Sequence, residues 1–548
     1  MQIQHKIIQG MLGLTLITMG VSCTKGFEDL NKPYKDVSVS TASPAGIFNN
    51  LARRATDEDY TLYTGLFMPI TNQMGTQNVA INITNYTSSY WNNYYPDLAD
   101  YKQLLKLIDA SPSPESYTNV QSMATILIGY KTLQMLDRYG SIPYSQAGVA
   151  SEGPEMYRPA YDDQATVYKS VLADLATAVS SMKTGAAASS QVALGTYESF
   201  LNSDYDAWVK FGNAIRLRYA VRLYAKEQQL ASSIITDIIG GNKPLANDIS
   251  YGNNQINMRK NNVGIYPTLL AAGSIPGSWG DRFFYAFRET SVSSIRLSDN
   301  LWNQISATNA DDGSGIYDPR SYVWFMPNNA GKWVPQKQDR SELEGGTNIY
   351  PNADAPLAPN SFPDNKFAGF NWYLIRDWEQ FPYVLISEAD VHFLKAEIYA
   401  KGMGVAVDWV KAEAEYKAGL TSSINYWYSY AASNTGGIWP TGSRPTLGPT
   451  TIATFLAHPK VAFIPADHAG NLQKIITQAW LAAIFEAPEA WAIVRRTGMT
   501  PTTTAAATQY NKMPYPADEA TNNRENWMNA SGGADPGAEM MKKVYWMP

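Results

Sequence analysis

Helical periodicity dominates the chain up to about residue 250. In DLADYKQLLKLIDA the residues Leu98, Tyr101, Leu105 and Ile108 share one face, and in YTNVQSMATILIGYKTLQMLDRYG an arc runs through Val120, Met123, Leu127, Tyr130, Leu133 and Met135. Apolar positions at helical spacing predict helices with one side turned to a core. Gly140 followed by Pro143 predicts where the second of them stops. Two more helices are predicted over DDQATVYKSVLADLATAVSSM and YDAWVKFGNAIRLRYAVRLYAK, the latter with Trp208, Phe211, Ile215, Tyr219 and Leu223 along one side. Between about Tyr251 and Pro382 the period is lost, and GSIPGSWGDRFF, DDGSGIYDPRSYVWFMPNNAGKWVPQ and YPNADAPLAPNSFP are dense in turn formers. A loop region of this length marks either function or disorder. Its low charge and many aromatics argue for order, because such a segment has surface to bury.

Helix resumes at ISEADVHFLKAEIYAKG. Ser387 and Asp390 stand at capping-box spacing, Gly402 is placed for a left-handed C-cap, and Ala389, Phe393, Ala396 and Ala400 line one face. DWVKAEAEYKAGLTSSINYW follows after a short turn, which predicts an antiparallel helical hairpin. In LQKIITQAWLAAIFEAPEAWAIVRRTG, Pro488 suits a first turn, and Arg495 and Arg496 suit the last turn before Gly498. Paired helices with small and aromatic contact positions resemble tetratricopeptide units, although no strict repeat period is present. The fold class predicted is therefore mostly α: a helical-hairpin scaffold over about 39–250 and 386–548, a loop-rich inserted region over about 251–385, and few short strands.

The chain start and the cysteine usage change this picture in one respect. MQIQHKIIQGMLGLTLITMGVS has a short basic start, an apolar run too short for a comfortable transmembrane helix, and small residues at Gly20, Val21 and Ser22. Residues 1–22 read as a signal peptide, and Cys23, the one cysteine of 548 residues, looks like a bacterial lipobox cysteine that is lipidated to become the new N-terminus. Residues 23–38 then form a polar tether, and 39–548 a single domain. With no second thiol the body has no disulfide, and with 45% hydrophobic residues it has ample material for a core instead. Lys and Arg number 43 against 49 Asp and Glu, which gives no electrostatic reason to expect nucleic acid. The four histidines form no pair at metal-ligand spacing, so a catalytic zinc site is not expected. NADDGSG at 309–315 clusters oxygen donors, but it lacks both the alternating Asp spacing and the distal Glu of a calcium loop, and no metal or cofactor is predicted.

Several landmarks occur in the order of one known family: Cys23 and then FEDLN, LDRYGSIPYSQA at 136–147, YDPRSYVWF at 317–325 with Trp333 after it, and SEADVHFLKAEIYAKG at 387–402. QAWLAAIFEAPEAWAIVRRTG, MPYPADEATNNRENW and a closing VYWMP complete the series. Over nearly its whole length the chain resembles SusD/RagB-type outer-membrane lipoproteins. The resemblance implies a tetratricopeptide-like scaffold whose inserted loops build a ligand surface. It also implies a lipid-anchored protein at the outer membrane, facing the cell exterior, that captures glycan or oligosaccharide, or in some relatives peptide. The captured ligand passes unmodified to a SusC-like TonB-dependent transporter. DLNKPYKD stands where the family more usually has an Asn-Pro-Asn-type tether.

Sugar recognition needs flat aromatic faces together with planar polar groups that bridge hydroxyls. Two stretches combine them. From TNQMGTQNVAINITNYTSSYWNNYY the candidates are Asn78, Asn82, Tyr86 and Tyr90, and from the 273–335 loops they are Trp279, Asp281, Arg282, Trp324 and Trp333. Trp91 is expected to pack a helix, and Arg320 in DPR to brace a turn. Three functions compete: a glycan-capture lipoprotein, a peptide-capture lid of the same architecture, and an exported glycoside hydrolase. The last requires two carboxylates about 5–10 Å apart across the scissile bond. None of the 49 acidic residues sits in a recognisable catalytic motif.

Overall fold

The structure, a computed structural model, describes residues 43–55, 66–76, 87–198, 200–246, 263–265, 295–328, 330–336, 367–375, 383–433, 442–501 and 510–548. Its principal helices are α1 (Pro44–Arg53), α2 (Thr87–Asp109), α3 (Thr118–Tyr139), α4 (Gln164–Ser181), α5 (Tyr205–Leu223), α6 (Gln228–Ile235), α7 (Asp299–Ile305), α8 (Ser321–Trp324), α9 (Glu388–Lys401), α10 (Trp409–Ser433), α11 (His468–Ala482) and α12 (Ala487–Thr497). The strands are β1 (Met74–Thr76), β2 (Ile142–Pro143), β3 (Tyr161–Asp162), β4 (Val263–Ile265), β5 (Ile295–Leu297), β6 (Phe325–Met326), β7 (Gly369–Phe370) and β8 (Tyr383–Ile386). They pair antiparallel as β1 with β5, β2 with β3, β4 with β8 and β6 with β7. The fold is mostly α with few short strands, as the periodicity predicts.

Helix boundaries follow from local chemistry. The Asp163 and Asp204 carboxylates cap α4 and α5 by accepting from the N–H groups of Thr166 and Ala207. At α9 both capping-box hydrogen bonds are made, Ser387 Oγ accepting from Asp390 N–H and the Asp390 carboxylate from Ser387 N–H, and Gly402 closes the helix at φ 67. Only glycine adopts that backbone region without steric cost, which is why the hairpin turn falls there. Pro488 lies in the first turn of α12, and Gly498 ends it at φ 59. One boundary departs from expectation: α2 begins at Thr87, about ten residues before the predicted start. Pro96 sits inside the helix, where proline removes one backbone hydrogen bond. Burial of Tyr90, Trp91 and Tyr94 on the extra turns offsets that loss. Trp91 packs against Tyr139 and Tyr515, the core role expected of it.

Consecutive helices pack in pairs, α3 on α4, α4 on α5, and α9 on α10, and α5 touches α9 to join the two halves of the scaffold. A buried ionic cluster ties this joint. Arg218 of α5 reaches Asp390 of α9 (2.8 Å) and Glu486 (3.2 Å), and donates to the Leu385 carbonyl of β8 (2.8 Å). Arg222 pairs with Asp137 of α3 and Glu489 of α12. The C-terminal segment completes the cluster: Trp546 is fully buried, and its indole N–H donates to Asp137 (2.7 Å). Burial pushes the Glu489 carboxyl up, but Arg222 and Arg218 outweigh it and hold the pKa at about 2. Burial and the neighbouring Asp390 carboxylate push the Glu486 carboxyl well above the ordinary range, against the pull of Arg218. Beta strand β8 pairs with β4, so the cluster also fixes the strand through which the loop-rich region joins the scaffold.

Candidate functional site

The best-described part of the loop-rich region is the segment from α7 to residue 336. Ser298 caps α7 by accepting from Leu301 N–H (3.0 Å) and donates to the Asn72 carbonyl (2.7 Å), which holds this segment against the residues preceding β1. The NADDGSG loop then folds back on itself: Ala307 N–H donates to the Gly315 carbonyl (2.7 Å), and the Asp312 carboxylate accepts from Ser314 N–H (2.9 Å). Asp311 uses both its groups. Its carbonyl accepts from Trp333 N–H (2.6 Å), and its carboxylate pairs with Lys332 (3.0 Å). The oxygen cluster noticed in the sequence thus serves to seat Trp333. Among the described residues no group of three or more His, Cys, Asp or Glu side chains is placed to hold a metal ion.

Trp333 lies flat on Trp302, with ring centroids 5.8 Å apart and planes 7° apart, and Tyr322 stands edge-on to Trp333 at 6.2 Å and 89°. Tyr322 is 46% exposed while Trp333 is 7% exposed, so the tier presents one ring to solvent and buries the two beneath it. Partial burial raises the Tyr322 pKa. On the same loop the half-exposed Lys332 and Asp311 pair an ammonium with a carboxylate, an interaction worth little to stability in that setting. Arg320 braces the turn beneath, as expected of DPR. It pairs with Asp318 (2.6 Å), both fully buried, and donates to Ser423 of α10 (3.2 Å) and Gln478 of α11.

The predicted site residues divide accordingly. Trp324 is a correction: it is 0% exposed, with the Arg320 guanidinium 5.0 Å from its ring and Trp427 and Phe325 against its edges, and presents no face to a ligand. Tyr90 is a second correction, 3% exposed with the Arg138 guanidinium 3.6 Å over its ring, because α2 starts early enough to carry it into the core. Trp333 is buried under Tyr322 and is not an exposed platform. Asn78, Asn82, Tyr86, Trp279, Asp281 and Arg282, and Cys23 with the leader and tether, lie outside the described residues. Tyr322 was not among the predicted residues. Its one signal is position, since a four-residue helix that buries Ser321, Val323 and Trp324 turns the remaining side chain outward.

With the scaffold and this surface in view, comparison with known proteins places the chain in a class. It belongs to the SusD-like family whose profile is described as "Starch-binding associating with outer membrane", matched over residues 32–517. No curated protein matches the chain. Among solved structures it is similar to a chitin-binding protein (20% identity, 92% of this chain and 100% of that one, TM-score 0.66). It is also similar to a SusD homologue from Parabacteroides distasonis (18%, 92% and 98%, TM-score 0.67) and to a chitin-binding SusD homologue from Flavobacterium johnsoniae (18%, 92% and 97%, TM-score 0.61). Likeness at this level of identity establishes a shared fold. Among the described residues no helix is long and apolar enough to cross a membrane.

Proposed function

We propose that this chain is a lipid-anchored protein of the outer-membrane surface that captures a glycan or oligosaccharide and delivers it, chemically unchanged, to a partner TonB-dependent transporter of the SusC-like kind. Residues 1–22 are the cleaved leader, Cys23 carries the lipid, and 23–38 tether the folded body. The observation that carries the glycan reading is the exposed Tyr322 ring, edge-on to a Trp333–Trp302 stack whose loop also carries the half-exposed Lys332–Asp311 pair. An aromatic face next to polar hydrogen-bonding groups is what a pyranose requires, its C–H side stacking while its hydroxyls find partners. The family description and the chitin-binding relatives support the same class of ligand. Asn78, Asn82, Tyr86, Trp279, Asp281 and Arg282 are proposed as further ligand contacts, with Trp279 the first of them to replace. The transporter contact buries more than about 2,000 Å², as stable assemblies of this kind do.

The test is calorimetric titration of the full chain, purified in detergent, against starch, chitin and other oligosaccharides and against peptide mixtures, with product analysis of the same samples. Saturable glycan binding without cleavage is the expected result. Binding of peptides alone would replace the ligand class, and released product would overturn the non-enzymatic reading.

A further inference from the structure

Gly313 has φ +80, and a Cβ at this position would lie 2.7 Å from Nε1 and 2.8 Å from Cδ1 of Trp333, with Ile316 Cδ1 at 3.4 Å. The indole has nowhere to retreat. Trp302 covers one of its faces, and its backbone N–H is held by the Asp311 carbonyl two residues before the glycine. Any side chain at 313 must therefore tilt the indole or pull the loop away from it. Tyr322 stands edge-on to that indole, so a tilt of Trp333 becomes a change in the direction of the exposed ring. Lys332 reinforces the arrangement, its ammonium, on the residue next to Trp333, holding the Asp311 carboxylate.

The geometry points to Gly313 as a positioning residue for ligand capture: it touches no ligand, but it lets Trp333 lie flat and so fixes the Tyr322 ring at the angle at which a sugar stacks. This rests on the glycan reading of the Tyr322 surface. Gly331 supplies an internal control, because it also has positive φ (+72) but has no atom within 4 Å of a Cβ built on it. Gly313→Ala and Gly331→Ala thus share the backbone strain of a left-handed residue, and only the first collides with the indole.

The experiment compares wild type, Tyr322→Ala, Gly313→Ala, Gly331→Ala and Trp333→Leu, all as full chains, by titration with the oligosaccharide that wild type binds most tightly among starch and chitin fragments. Circular dichroism of the stacked indoles is recorded in parallel. An aligned aromatic contact is worth about 0.5–1.5 kcal/mol, so Gly313→Ala and Trp333→Leu are expected to weaken binding by about 2- to 13-fold. Both should also change the indole signal, while Gly331→Ala leaves affinity and signal unchanged. If Gly313→Ala does not fold, Trp333→Leu alone decides, because it removes the indole without straining the backbone. Equal losses in the two glycine variants, or full affinity in Trp333→Leu, would overturn the positioning role while leaving the site intact. Unchanged affinity in Tyr322→Ala, or no glycan binding by wild type, would overturn the site reading and the inference together.

Discussion

The scaffold around Arg218 and Arg222 and the loop segment 298–336 spend the same residue types in different directions. Around the joint of the scaffold the large aromatics and paired charges are turned inward: Trp208, Trp480, Trp491 and Trp546 are fully buried, and Arg222 is closed in by Asp137 and Glu489. The loop segment also buries three tryptophans and an arginine, Trp302, Trp324, Trp333 and Arg320, but there the Trp302–Trp333 stack forms a floor from which Tyr322 projects. Aromatic richness in a loop region therefore does not mark a binding surface by itself. The residue that meets solvent is the one whose neighbours have already filled the space below.

That contrast is tested most severely in the scaffold. Arg222→Ala takes the nearest cation from the buried Asp137 and Glu489 and is expected to cost about 3–5 kcal/mol, read as a lowered urea midpoint. Trp324→Ala should cost about as much or slightly less through the cavity it opens. Below its melting temperature it should bind glycan as wild type does, and a selective loss of affinity would put Trp324 back in the site. The acid dependence of stability belongs to the scaffold as well. Burial pushes Glu397 up, but Arg496 and Lys401 hold it at about 2, and Glu489 is held at about 2 likewise. Both lie below the value of about 4.3 for an unfolded glutamate, so the stabilisation is complete above that pH and is lost as pH falls towards 2. Urea midpoints at pH 6, 4 and 3 should fall in that order, and Arg496→Leu should flatten the drop. Ser387→Ala, which removes half of the capping box, is expected to cost about 1 kcal/mol. Tyr322→Ala should change stability by less than about 0.5 kcal/mol, as half-exposed positions do, while weakening glycan binding.

How far the sequence is legible follows the same division. Ser387 with Asp390, Gly402, Gly140, Pro488 and Gly498 act within one helical turn of themselves, so their spacing alone places the boundaries that the structure shows. The start of α2 was not legible, because Pro96 carries a strong local signal for a first turn that tertiary burial of Tyr90, Trp91 and Tyr94 overrides. Whether Trp324 or Tyr322 faces solvent depends on partners far along the chain, such as Trp427 above Trp324 and Gln478 on Arg320, and no window around residue 322 contains them. Gly313 was equally hidden, since its role depends on an indole twenty positions later.

The most direct measurement is hydrogen exchange of the full chain with and without a saturating oligosaccharide. The account predicts slowed exchange in peptides covering 306–336, with those covering α9 and α5 unchanged. Protection confined to the helical scaffold, with 306–336 exchanging as in the free protein, would contradict it.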